Sequence, residues 1–140
     1  MAKVNTYLNF IGNTEEAFNF YKSVFGGEFT TLQRFKDIPD AGKMPADEGN
    51  KVMHVALPIG GNVLMGTDVS SSMPKVVFGT NSSISIDTAS KEEADKLFNG
   101  LSADGNVAMP LEKMFWGAYF GFFIDKFGVQ WMVNYNENQH

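Results

Sequence analysis

Few side chains in this chain of 140 residues could do acid–base or metal chemistry. There are two histidines, His54 and the terminal His140, one arginine, Arg34, and no cysteine. Without cysteine there is no disulfide, thiolate metal site or thiol nucleophile. That leaves His54 as the one interior imidazole, able to bind a ligand oxygen or to act as a general base. The same ring also suits a hydrogen-bonded structural role, and both readings stand. His54 lies in an apolar run, Val52 to Ile59, followed by Gly60-Gly61 and a second run, Asn62 to Val69. Two such runs around a two-residue turn read as a hairpin. The turn pairs Pro58 with Val63, Ala56 with Met65 and His54 with Thr67. His54, Met65 and Thr67 therefore share a face. Arg34 either pairs with a ligand carboxylate or phosphonate or sits on the surface. Asp68 reads as a strand-end residue, and Asp125 as the turn residue of Asp125-Lys126-Phe127-Gly128.

The elements that must position these groups follow from periodicity. Residues 3–11 read as a strand, broken at Gly12-Asn13. Thr14 is the expected N-cap of a helix with Glu15 and Glu16 in its first turn. Ala17, Phe18, Tyr21, Val24 and Phe25 fall at helical spacing, and Gly26-Gly27 ends the helix. Residues 28–36 read as a strand. Residues 37–50, with two prolines, two glycines and four acidic residues, read as a long loop. Past a linker at about 70–75, residues 77–87 read as a strand. Ser90 is the expected cap of a second helix facing inward through Ala94, Leu97, Phe98 and Leu101. Val107 to Pro110, Phe115 to Ile124 and Val129 to Tyr135 complete the set of strands.

The order is βαβββ, twice. Glu16 aligns with Glu93, an offset of 77 (93 − 16), and Gly61 with Gly128, an offset of 67 (128 − 61). A faint internal repeat of this kind signals duplicated supersecondary units. The expected fold class is α+β, one domain over 1–140, with modules at about 3–69 and 76–136. A net charge of −5 and the lone arginine argue against a nucleic-acid partner. No signal peptide and no apolar run near 20 residues is visible, so the expectation is no membrane partner and a cytoplasmic location. The 13 phenylalanines either fill a core or line an apolar pocket.

Particular segments carry a resemblance. They are Tyr7-Leu8-Asn9-Phe10, Gly12-Asn13-Thr14-Glu15-Glu16-Ala17 with Phe20-Tyr21, and Phe25-Gly26-Gly27. With them go Met53-His54-Val55-Ala56-Leu57, Leu64-Met65-Gly66-Thr67-Asp68, and Phe115-Trp116-Gly117 through Asp125-Lys126-Phe127-Gly128-Val129-Gln130-Trp131. Together they span the chain, which resembles the PhnB-like branch of the vicinal-oxygen-chelate superfamily. That superfamily includes glyoxalase I, extradiol dioxygenases and fosfomycin- and bleomycin-resistance proteins. The branch is often labelled a demethylubiquinone methyltransferase, but nothing in the sequence reads as an S-adenosylmethionine site. The resemblance implies two curled mixed sheets forming a cup, and a homodimer that completes the cups by pairing modules.

In the catalytic members, strand residues facing the cup chelate a divalent ion through His, Glu or Gln. The repeat carries those positions onto Thr6, Met65, Ser83 and Met132. None is an imidazole or carboxylate, and a one-residue shift to Asn5 or Tyr7 and to Leu64 or Gly66 restores no such set. The expectation is no metal and no cofactor. The ligand-binding residues expected around the cup are Thr6, Phe10, His54, Met65, Thr67, Ser83, Ser85, Trp116, Phe123, Met132 and Asn134, with His54 the catalytic candidate. Met and aromatic side chains make an adaptable apolar wall, and Thr, Ser and Asn add hydrogen bonds. The function expected is metal-independent binding of a small apolar or aromatic molecule. The alternatives are a glyoxalase- or dioxygenase-like or antibiotic-modifying enzyme using His54 or an unorthodox metal site, and a cup packed shut by its own side chains.

Overall fold

The structure is a computed structural model that describes residues 1–39 and 45–137, with Ala46 by its backbone alone. Part of the expected loop 37–50 and His140 lie outside the described residues. The chain forms two compact units, residues 1–77 and 78–140. Each holds a four-stranded mixed sheet with one long helix on a single face, an α+β architecture.

In the first unit the order is β1 (Thr6–Phe10), α1 (Thr14–Phe25), β2 (Thr31–Arg34), a 3-10 turn (Phe35–Asp37), α2 (Ala46–Gly49), β3 (Val52–Ile59) and β4 (Asn62–Asp68). The sheet runs β1-β4-β3-β2, with β1 parallel to β4 and the other pairs antiparallel. Helix α1 buries Thr14, Ala17, Phe18 and Tyr21, the stripe its periodicity dictates. Phe18 meets Phe10 edge to face at 6.4 Å and Tyr21 at 5.5 Å, above Val55, Leu57 and Leu64. Burying each such side chain contributes about 1.5–3 kcal/mol. Gly66 makes room for Phe18, because a Cβ there would lie 2.5 Å from its ring.

The second unit contains β5 (Ile84–Asp87), α3 (Lys91–Ser102), β6 (Asn106–Lys113), β7 (Tyr119–Ile124) and β8 (Gln130–Tyr135), in the order β5-β8-β7-β6. Helix α3 buries Ala94, Leu97, Phe98 and Leu101. Phe98 stands edge to face on Phe123 at 5.0 Å, with Trp131 and Val133 in the same layer.

The two helices are started by different devices. Ser90 caps α3 locally, accepting from the Glu93 amide at 3.0 Å, while the Glu93 carboxylate accepts from the Ala89 amide. Helix α1 has Asn13, not Thr14, at its cap position, and no local side chain bonds there. Its cap is Asp68, 54 residues away, which accepts from the Thr14 amide and hydroxyl at 3.0 and 2.6 Å. The other Asp68 oxygen accepts from the Val52 amide at 2.8 Å. Asp125 closes its hairpin as expected, accepting from the amides of Phe127 and Val129, and also takes the Trp131 indole N–H at 2.8 Å.

Several strands are shorter than their patterns suggest. The expected strand 77–87 is paired only over Ile84–Asp87. Phe115 to Ala118, expected within a strand, is a turn closed by the Met114 amide on the Ala118 carbonyl, with Gly117 at φ 99°. Only glycine adopts that backbone conformation at low cost.

Candidate functional site

Helix α1 covers one face of the first sheet, so the side chains of interest are those on the other. The face is set by β4, an inner strand that pairs with both β1 and β3. Gly66 points to Phe18, so Leu64 and Asp68 lie with it on the helix side and Met65 and Thr67 on the helix-free side. Strand β3 pairs Ala56 with Met65, as the hairpin predicts, and Gln33 of β2 pairs with His54. His54 and Ala56 therefore share the helix-free face with Met65 and Thr67. Strand β1 pairs Tyr7 with Met65 and Asn9 with Thr67, which adds Tyr7 and Asn9.

This corrects the expectation for β1. Thr6, Leu8 and Phe10 point to the helix, and Phe10 is 1% exposed against Phe18. Thr6 and Phe10 therefore do not belong with His54. The reason is loop length. Met65 and Met132 are mates in the repeat, and they pair with Tyr7 and Ser85, an offset of 78 (85 − 7). The helices repeat at 77, so the strand–helix connection differs by one residue, and one residue inverts every side chain of a strand. The strand's own alternation held the answer, since Leu8 and Phe10 are apolar and Asn9 is polar.

Tyr7 is the residue that sequence reasoning missed. Its hydroxyl lies 3.2 Å from His54 Nδ1, and the two rings stack at 5.7 Å with an interplanar angle of 27°. His54 Nε2 has no hydrogen-bond partner among the described residues. Thr67, although on this face, is 6% exposed, and its hydroxyl is spent on the Met53 carbonyl at 2.7 Å. Arg34 is no free cation. Its guanidinium grips Glu15 through two bonds, 3.0 and 2.7 Å, and donates to the Asn50 carbonyl at 2.9 Å. That pairing lowers the Glu15 carboxyl from its ordinary range, the Arg34 hydrogen bond outweighing partial burial.

The helix-free face of the second sheet has another chemistry. Ser85 pairs with Met132 and Asp87 with Asn134, while Phe122 pairs with Met132 and Phe120 with Asn134. Met132, Asn134 and Ser85 thus fall together with Phe120 and Phe122. Phe123 does not; it is fully buried on the helix side against Phe98, so the aromatic wall consists of its neighbours. Trp116 leans toward Phe120 at 6.3 Å and is half exposed in the β6–β7 turn. Ser83 precedes β5, with its hydroxyl 3.4 Å from the Gln130 amide nitrogen. The mate of Tyr7 is Ser85, so the second face lacks a Tyr–His pair.

The metal positions implied by the superfamily resemblance become Asn5 or Tyr7 with Met65 in the first unit, and Ser83 or Ser85 with Met132 in the second. Thioethers, a phenol, a carboxamide and hydroxyls do not fit a divalent cation that prefers imidazole and carboxylate. Among the described residues no three His, Asp or Glu side chains gather as a metal site.

On its helix-covered side the second unit has a cavity of about 450 Å³ beside Lys91, Glu112, Lys113, Tyr119, Tyr135 and Glu137, among others. Its lysines and glutamates balance. Tyr119 donates to Asp95 at 2.5 Å, and that bond to a carboxylate pushes the phenol up to about 12. None of the expected ligand-binding residues lines this cavity.

Comparison with known proteins covers nearly the whole chain. Residues 2–134 match the family described as 3-demethylubiquinone-9 3-methyltransferase. Protein PA1353 from Pseudomonas aeruginosa is 41% identical, with a TM-score of 0.85 over 97% of this chain and 98% of that one. The PhnB protein from Bacillus cereus is 32% identical, with a TM-score of 0.78 over 96% and 99%. YjdN of Escherichia coli is 28% identical over 97% of both chains. At 13% and 15% identity the fold alone is shared with the fosfomycin resistance protein FosX from Listeria monocytogenes and with a glyoxalase/bleomycin resistance protein/dioxygenase family enzyme from Burkholderia phytofirmans, at TM-scores of 0.64 and 0.58. No helix among the described residues is long and apolar enough to cross a membrane.

Proposed function

The chain belongs to the PhnB-like branch, the family described as 3-demethylubiquinone-9 3-methyltransferase, and from that membership we propose that it binds a small apolar or aromatic molecule without a metal. The binding surface is the helix-free face of the first sheet. One observation carries this reading: His54 is held at Nδ1 by Tyr7 beside Met65 and Ala56, with Nε2 uncommitted among the described residues. An oriented polar group beside apolar side chains such as Met65 and Ala56 is a usual element of a ligand site.

The test is a thermal-shift screen of aromatic metabolites and antibiotics on chelator-treated protein. A ligand at 100 times its Kd stabilises the native state by about 2.7 kcal/mol. His54→Ala is expected to weaken binding of a hit by about 1–3 kcal/mol. Binding that requires added metal, or a bound ligand on the helix-covered face, refutes the proposal. The uncommitted Nε2 also suits an enzyme, and turnover of a hit that is abolished in His54→Ala would favour that reading.

The protein forms a homodimer in this proposal. Support comes from apolar surface exposed on the single chain. Val107 and Met109 lie on the edge strand β6, and Phe115 and Trp116 on the turn that follows it. Unpaired edges and apolar patches of this kind are normally covered, and two-fold pairing is the commonest way.

A further inference from the structure

We propose that Tyr7 is the positioning residue of His54: its hydroxyl donates to Nδ1, fixing the neutral ring with its proton on Nε2, so the face selects aromatic ligands that carry an acceptor oxygen. This rests on the ligand site proposed above and names the ligand class for it, a carbonyl, quinone, phenolate or carboxylate on a flat apolar body.

The direction of the Tyr7–His54 bond follows from acidity and basicity. A phenol O–H is a good donor and a poor acceptor. An unprotonated imidazole nitrogen is the better acceptor of the two. At 3.2 Å the favoured arrangement is therefore phenol to Nδ1. In a neutral imidazole one nitrogen donates and the other accepts, so engaging Nδ1 as acceptor leaves Nε2–H as donor. Stacking of the two rings at 5.7 Å restricts rotation of the imidazole out of that geometry.

The surroundings leave this donor little competition. The Thr67 hydroxyl is turned to the Met53 carbonyl. The Ala56 and Met65 side chains carry no N–H or O–H. Asn9 and Gln33 carry amides that donate and accept equally, so they do not discriminate between ligands. The sign of the site is set by Nε2–H. A ligand offering only donors leaves that N–H facing a donor. The same tautomer makes the neutral ring a hydrogen-bond donor toward a ligand rather than a base.

The experiment is long-range ¹H–¹⁵N NMR of the histidine rings in the full, ligand-free chain, with His54→Gln assigning the signals. In the neutral ring, Nδ1 of His54 is expected at the shift of a hydrogen-bonded, unprotonated nitrogen and Nε2 at that of a protonated one. Tyr7→Phe should move Nδ1 toward the shift of a free acceptor. A protonated Nδ1, or ring shifts unchanged in Tyr7→Phe, overturns the assignment even if ligands bind this face. Conversely, the expected shifts with no ligand binding would overturn the functional proposal and leave the role of Tyr7 standing. The ligand class is read by titrating benzoate against benzylamine, which share a ring. Benzoate is expected to perturb the Nε2 signal at several-fold lower concentration. A preference for benzylamine, or no response to benzoate at millimolar concentration, overturns the ligand class.

Discussion

Asp68 ties together the start of α1, the start of β3 and the end of β4, and its replacement gives a graded test of that account. Its carboxylate is 2% exposed and accepts three bonds, from the Thr14 amide, the Thr14 hydroxyl and the Val52 amide. Asp68→Ala leaves all three donors buried without a partner. Each costs about 1–3 kcal/mol, and water entering the vacated volume recovers part of it. The expected loss is about 3–6 kcal/mol, a large share of the 5–15 kcal/mol typical of a domain. Asp68→Asn is milder. The amide oxygen keeps both bonds to Thr14, but its NH₂ meets the Val52 N–H, leaving one pair unmade at about 1–3 kcal/mol. Thr14→Val removes only the hydroxyl bond and should cost about 1 kcal/mol. Urea unfolding followed by circular dichroism gives the three values. Amide exchange at Ala17, whose N–H bonds to the Asn13 carbonyl in the first turn of α1, localises the damage. A loss below about 1 kcal/mol in Asp68→Ala, or an order other than Ala, Asn, Val, would refute the claim that this carboxylate caps α1 from a distance.

Gly66→Ala should destabilise by about 1–3 kcal/mol, since its Cβ would fall 2.5 Å from the buried Phe18 ring; the companion change Phe18→Leu should relieve part of that loss in a double-mutant cycle. Glu15 has a lowered carboxyl pKa in the folded chain, so its contribution is present above the unfolded value near 4.5 and disappears as pH falls through the lower, folded one. Wild type and Glu15→Gln should therefore differ in stability at pH 7 and converge as the pH falls below the folded value, the exposed position of the pair keeping the difference small. Elemental analysis of untagged protein should find well under one divalent metal per chain, and a stoichiometric zinc, nickel or manganese would contradict the donor set at Met65 and Met132. Sedimentation at micromolar concentration should give twice the 15.5 kDa of the chain, and a clean monomer would remove the proposed dimer.

Much of the architecture was legible because it is written in short-range periodicity. The apolar stripes Ala17-Phe18-Tyr21 and Ala94-Leu97-Phe98-Leu101 named the buried helix faces. The Gly60-Gly61 turn paired Ala56 with Met65, and Ser90 marked the start of α3, both from residues close in sequence. The repeat and the matching segments then gave the fold class. Tertiary structure decided what depends on register between distant segments. The face of β1 turned on one extra residue between strand and helix, because a side-chain period of two converts any odd slip into an inversion. Hence Phe10 moved to the core and Tyr7 joined His54; on β7 it is Gly121, facing Phe98, that puts Phe123 on the helix side and leaves Phe120 and Phe122 on the other. The cap of α1 was invisible for the same reason. No local pattern announces that an aspartate 54 residues downstream will accept from Thr14, since only the parallel pairing of β1 with β4 brings them together.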